Sequence, residues 1–317
     1  MKLTRILLAA FVGLAVFGAC KKDDEKETTY LTLDGTLTVG EIPVFVNPGD
    51  VFDYKSEGVS VPEDETNKDL KIIYTYTTSE ASKTDTTDVY HVVIPDIVGE
   101  YTITAKATAT GYYTKTVTLT TTVVGEKSIT NVDRTGLATD TDPRDGRSYT
   151  FTVLPIGDVM AENLAYFEKD SEGAYTFGMP YKNAEAAEKV FGGFYTWEEA
   201  KTACPSGWRL PTKAEWGSLG TEAGKLMADS YYNGSRMWEY WPEVKKTNSY
   251  KFFAFPFGYA TIVDKVYTFT GFGDYAFYWV DNGGQPICEY IYVQGANINV
   301  WDSPSETDFA AQVRCIK

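Results

Sequence analysis

The stretch Phe194–Leu219, FYTWEEAKTACPSGWRLPTKAEWGSL, constrains the fold more than any other, because it writes two helix starts with a stop between them. Each start is a capping box, in which a Thr hydroxyl accepts from an orphan backbone N–H and a Glu three residues on reaches back. The pairs are Thr196 with Glu199 and Thr212 with Glu215. Trp197, Ala200 and Cys204 then share one helical face, and Trp216 and Leu219 share a face of the second helix. Pro205 cannot continue the first helix, and Gly207 suits the turn that follows. Downstream, FFAFPFGYA, VYTFTGFG, YAFYWVDN, ICEYIYVQG, INVWD and AAQVRCIK read as strands. The expected result over 145–317 is an α+β domain, two helices leaned on a curled antiparallel sheet. TEAGKLMA, residues 221–228, is expected to add a third short helix, and residues 168–193 carry less pattern.

Ahead of this domain, residues 30–126 alternate in short runs: LTLDGTLTV, IPVFV, VFDY, KIIYTYT, DVYHVVI, GEYTITAKAT and YTKTVTLTTTVV. About seven such strands are the number expected of a β-sandwich. Tyr101, Ile103 and Ala105 point one way and Thr102, Thr104 and Lys106 the other, so one face is buried and one wet. The closing run GEYTITAKATATGYYTKTVTLTTTVV resembles the hairpin of immunoglobulin-like modules of bacterial surface proteins. Residues 127–144 are polar and aperiodic and are expected to be a linker.

Residues 1–20 carry Lys2 and Arg5, an apolar run from Ile6 to Phe17, then Gly18 and Ala19 before Cys20. The run is too short to span a bilayer and reads as a signal peptide. Its ending at Gly-Ala-Cys resembles a bacterial lipobox, which implies cleavage before Cys20 and acylation of its thiol. Residues 21–29 open with KKDDEKE, a charged tether with nothing to bury. Lys followed by acids at that point resembles the surface-export signal of Bacteroidetes lipoproteins, which implies an address on the outside of the outer membrane, with its periplasmic face as the alternative. Without the first twenty residues the chain holds 27 basic against 44 acidic groups, net −17. A nucleic-acid backbone or an anionic lipid surface would repel it, so the membrane partner is met through a lipid anchor and nucleic acid is not a partner.

DGRSY, IGDVMAENL, FYTWEEAKTACPSGWRLPTKAEW, AGKL, FFAFPFGYA and the terminal VRCIK stand in the order of the motifs of the FISUMP family, the Fibrobacter succinogenes major paralogous domain, which this region resembles. Two positions depart from the family pattern: Val159 stands where a Trp is usual, and Arg209 where a His is usual. The resemblance implies a fold akin to the C-type-lectin-like and formylglycine-generating-enzyme folds, and no established activity. Cys204, Cys288 and Cys315 permit three single pairings in an oxidising compartment. The lectin-like resemblance selects Cys204 with Cys315 and leaves Cys288 free.

Candidate chemistry is sparse. The one histidine, His91, lies in the first module, so the second domain cannot assemble a Ser-His-Asp triad, a Cys-His pair or a His-based metal site. Glu199 and Glu215 read as cap residues before catalytic acids. Gln285-Pro286-Ile287 and Trp301-Asp302 only partly echo the calcium ligands of lectins, so no metal and no cofactor are expected. Exposed aromatic rings suit sugar faces or protein partners, and Trp238, Trp241, Asn299, Trp301 and Asp302, in the loops after the helix pair, are the candidate contacts. The reading is a surface lipoprotein whose second domain is a non-catalytic binding or adhesion module for a glycan or protein. The alternatives are an enzyme on a formylglycine-generating-enzyme-like fold and a structural envelope or fimbria-associated component.

Overall fold

A computed structural model describes residues 30–62, 69–86, 89–239 and 244–317. Cys20, the tether at 21–29 and Trp241 lie outside these residues. The fold is rich in strands with few, short helices. None of the described helices is long and apolar enough to cross a membrane.

In the N-terminal module a five-stranded sheet runs in the order Phe45–Val46, Lys115–Val123, Gly99–Thr108, Lys71–Thr77, Ser82–Asp85. Three strand pairs complete it: Val51–Lys55 with Val89–Val93, Asp34–Thr38 with Glu57–Ser60, and Leu31–Thr32 with Tyr112–Tyr113. The alternation read in the sequence decides the core, since Tyr101, Ile103, Ala105 and Ala107 are buried and meet Leu33, Leu37, Tyr54 and Val92. His91 stays outside this core, its Nδ1 2.6 Å from Asp53 Oδ1 on an exposed surface.

The stretch expected as a linker is woven into strands. Ile129–Thr130 pairs with Tyr231–Tyr232, and Ala138–Thr141 pairs with Ser148–Leu154. The larger sheet of the second domain is built from β1 (Phe257–Val263), β2 (Val266–Phe272), β3 (Tyr275–Asn282), β4 (Gln285–Tyr292), β5 (Ile298–Asp302) and β6 (Phe309–Ala310). Its order is β2-β1-β3-β4-β5, with β6 on β1; β1 and β3 run parallel and the other pairs antiparallel.

Both helices form as their caps dictate, α1 over Trp197–Ala203 and α2 over Lys213–Ser218. Thr196 N donates to Glu199 Oε2 at 2.8 Å and Thr212 N to Glu215 Oε2 at 2.8 Å, while each Thr hydroxyl accepts from the Glu backbone N–H. They do not lie on one face of the sheet. Trp197 packs on Trp279 with ring centroids 5.5 Å apart, and Trp216 packs on Tyr278 at 5.7 Å. Neighbouring residues of a strand point to opposite faces, so the helix pair clasps β3 from both sides. TEAGKLMA makes one 3₁₀ turn, Ala223–Lys225, instead of a helix. The carbonyls that another turn would use are taken from outside it: Gly224 O accepts from Thr247 N at 2.9 Å and Asn248 N at 3.0 Å, Lys225 O from Tyr250 N at 3.1 Å and Leu226 O from Ala254 N at 2.8 Å. Cys204, at the end of α1, is bonded to Cys315 with Cα atoms 5.8 Å apart, and Cys288 is a buried free thiol.

Candidate functional site

The face of the sheet that α1 covers continues past the helix as an open row of rings. Tyr275, Phe277 and Trp279 take alternate positions of β3, and register places Tyr292, Tyr290 and Cys288 opposite them on β4. On β5, Asn299 stands opposite Tyr290, and Trp301 opposite Cys288. Burial grades along this face: Trp279 and Cys288 are fully covered, Phe277 is 5% exposed, and Tyr275, Tyr290 and Tyr292 are half-buried. Trp301 is the most open of the rings, at 39%.

These rings are held against one another and so are presented rigidly. Tyr275 stacks on Tyr292 with centroids 4.5 Å apart and planes 13° from parallel, and Phe277 stacks on Tyr290 at 4.7 Å and 12°. Trp301 meets Phe309 edge-on at 4.8 Å, and Tyr259 joins from β1, 5.0 Å from Phe277. Gly271, with φ +75°, leaves the space these rings occupy, because a Cβ there would come within 2.7 Å of Tyr275 Cδ2. Burial raises the Tyr275 phenol pKa and neighbouring Tyr292 raises it further, so the hydroxyl is a neutral donor and acceptor at physiological pH. Such a surface combines apolar ring faces with polar tips and carries no formal charge of its own.

Of the five candidate contacts, Asn299 and Trp301 share this face. Asn299 is half-buried, its Nδ2 donating to Asn297 O at 3.0 Å. Asp302 belongs to the opposite side: its carboxylate pairs with Lys213 of α2 at 3.3 Å. Trp238 requires a correction. It is 1% exposed and its indole N–H donates to Ala254 O at 3.1 Å, so a ring expected in a loop is core. The sequence reading passed over Tyr259, Tyr275, Tyr290 and Tyr292. A signal existed in the aromatics at every second position of YAFYWVDN and CEYIY, but only the strand register shows that both sets share one face.

The other candidates have structural partners. Arg209 forms a two-point contact with Glu215 at 2.8 and 2.6 Å and so holds the carboxylate of the second capping box. The Cys288 thiol is fully buried, and burial pushes its pKa well up. Among the described residues, no three His, Cys, Asp or Glu side chains stand together as metal ligands.

A strand-rich domain with two capped helices, a disulfide from the first helix to the last residues of the chain, and an open aromatic sheet face defines the class. The family model of the Fibrobacter succinogenes major domain matches residues 155–317, more than half of the chain, and the chain belongs to that family. Neither a curated protein nor a solved structure matches it.

Proposed function

We propose that this chain is a surface lipoprotein, anchored through Cys20, whose immunoglobulin-like N-terminal module presents a lectin-like, non-catalytic binding domain. The aromatic face of β3, β4 and β5 is the contact surface, and a neutral glycan is the ligand class it suits best. Sugar rings offer C–H faces to aromatic planes and hydroxyls to phenol and amide groups, and Tyr275, Tyr290, Tyr292, Trp301 and Asn299 supply both. The observation that carries this reading is the half-open stack of rings beyond α1, where a domain needing only a core would have covered them. The burial of Cys288 supports binding over an enzyme built on that thiol.

A glycan array, with and without chelator, followed by titration of the intrinsic tryptophan fluorescence of the parent and of Trp301→Phe, tests the proposal. Trp301→Ala and Tyr290→Ala should each weaken a hit by about tenfold or more. Hits that both variants retain at full affinity, or an array without hits, would overturn the glycan reading. Labelling with palmitate and surface protease tests the address, and a Cys20→Ala chain still lipidated and displayed would sink it.

A further inference from the structure

A cavity of about 540 Å³ opens where the N-terminal module meets the second domain, with Asn47, Pro48 and Asp96 on one side and Arg134, Arg147 and Val190 on the other. The seam is packed: Phe45 lies 6.0 Å from the Phe191 and Tyr181 rings, and Asn47 Nδ2 donates to Val124 O at 2.7 Å and Ala186 O at 3.1 Å. A volume of that size falls in the range of about 300–1,000 Å³ typical of small-molecule sites.

Its hydrogen-bonding inventory is unbalanced. Most acceptors are engaged: Glu162 Oε1 takes the backbone N–H and hydroxyl of Thr150 and lies 3.9 Å from Arg134, Asp96 pairs with Lys127, and Asn163 Oδ1 accepts from Arg314. Donors are left over. Arg134 Nε is buried with no acceptor, its guanidinium resting on the Phe253 ring at 5.1 Å. Among the described residues nothing accepts from the side chains of the half-buried Arg147 or the exposed Lys189, and the exposed Glu126 is the remaining opposing charge at the rim. After Lys127 pairs with Asp96 and Arg134 with Glu162, Arg147 and Lys189 face Glu126 alone, so the lining keeps a positive excess that an anion could meet. Val132, Val190, Phe255 and Phe257 provide the apolar wall.

We propose that this cavity binds a small organic carboxylate, its oxygens held by Arg134 and Arg147 and its apolar body against Val132, Val190 and Phe255. Burial lowers the Arg134 pKa and Glu162 partly opposes that shift; a bound carboxylate would oppose it further. The site is independent of the aromatic face.

Isothermal titration calorimetry on the purified full chain with 3-phenylpropionate, its uncharged amide and inorganic sulfate tests this. The acid should bind, and the amide and sulfate should each be at least about tenfold weaker, since charge-assisted bonds and apolar burial both contribute. Arg147→Gln should weaken the acid about tenfold with an unchanged Tm, because among the described residues that side chain has no hydrogen-bond or ion-pair partner, and Trp301→Ala should leave binding intact. Equal affinity for acid and amide, sulfate as tight as the acid, full binding by Arg147→Gln, loss of binding in Trp301→Ala, or no heat from the acid would each overturn the assignment.

Discussion

Glu289 illustrates how much a single side chain carries at this fold's interior. It lies on the α2 side of the sheet, 4% exposed, opposite Tyr278 on β3. Burial pushes its pKa up to about 7, against the pull of Lys213 and with a small push from Asp302. A folded-state pKa above the ordinary 4.5 means that the folded chain holds the proton more tightly. The stabilisation is therefore complete below pH 4.5 and is lost as pH rises through about 7. Glu289→Gln should remove that loss: between pH 5 and 8 its unfolding free energy should fall less than the parent's, by up to about 3 kcal/mol. Urea denaturation at the two pH values checks this, and parallel pH dependences would refute it. Arg314 is the complementary case, a fully buried guanidinium bonded to neutral oxygens. Nε donates to Asn163 Oδ1 at 2.7 Å, Nη1 to Met160 O at 3.0 Å and Phe252 O at 2.7 Å, and Nη2 to Phe253 O at 2.9 Å. Burial pulls its pKa down to about 10, so it stays charged at physiological pH. Arg314→Met would orphan those four acceptors, and a thermal melt should show a loss of about 3 kcal/mol or more.

At the scale of elements, what was legible was local. The capping boxes span four residues each, and their chemistry needs nothing from the rest of the chain, so the starts of α1 and α2 follow from the sequence alone. Thr196→Ala and Thr212→Ala should each cost about 1 kcal/mol in chemical denaturation. Glu215→Gln should cost more than Glu199→Gln, because Glu215 also holds Arg209; that hydrogen-bonded contact lowers its pKa to about 2. Its contribution is present above pH 4.5 and is lost as pH falls through about 2. Elements set by distant partners could not be read. Ile129–Thr130 is a strand because Tyr231–Tyr232 pairs with it, and the turn at Ala223–Lys225 stays short because remote backbone N–H groups of residues 247–254 take the carbonyls of Gly224, Lys225 and Leu226. The sheet face was half-legible: Trp301 and Asn299 were singled out, but Asp302 was grouped with them although one strand position reverses the side.

For the whole molecule, the Cys204–Cys315 bond ties the first helix to the chain's end across 111 residues. In the chain-entropy model a loop of that length contributes about 4 to 5 kcal/mol, and the paired Cys204→Ala, Cys315→Ala variant should lose about 2–5 kcal/mol in denaturant titration. A variant as stable as the parent would deny the bond its role as a brace. The seam is a second whole-molecule feature, since Phe45 of the N-terminal module joins the aromatic core of the second domain. Phe45→Ala should cost about 3–5 kcal/mol and should release the two modules from cooperative melting, which calorimetry would record as two transitions.

By itself the sequence determined the helix starts, the alternating strands and the membership of the Fibrobacter succinogenes major domain family. Each of these is written within a few neighbouring residues or as an ordered set of motifs. Only the tertiary structure decided that the helices clasp opposite faces of β3, that Trp238 is core, that four tyrosines join Trp301 on one open face, and that two arginines line a cavity at the seam. The physical reason is that burial and facing are properties of register and chain crossing, and these are fixed by contacts between residues far apart in the sequence.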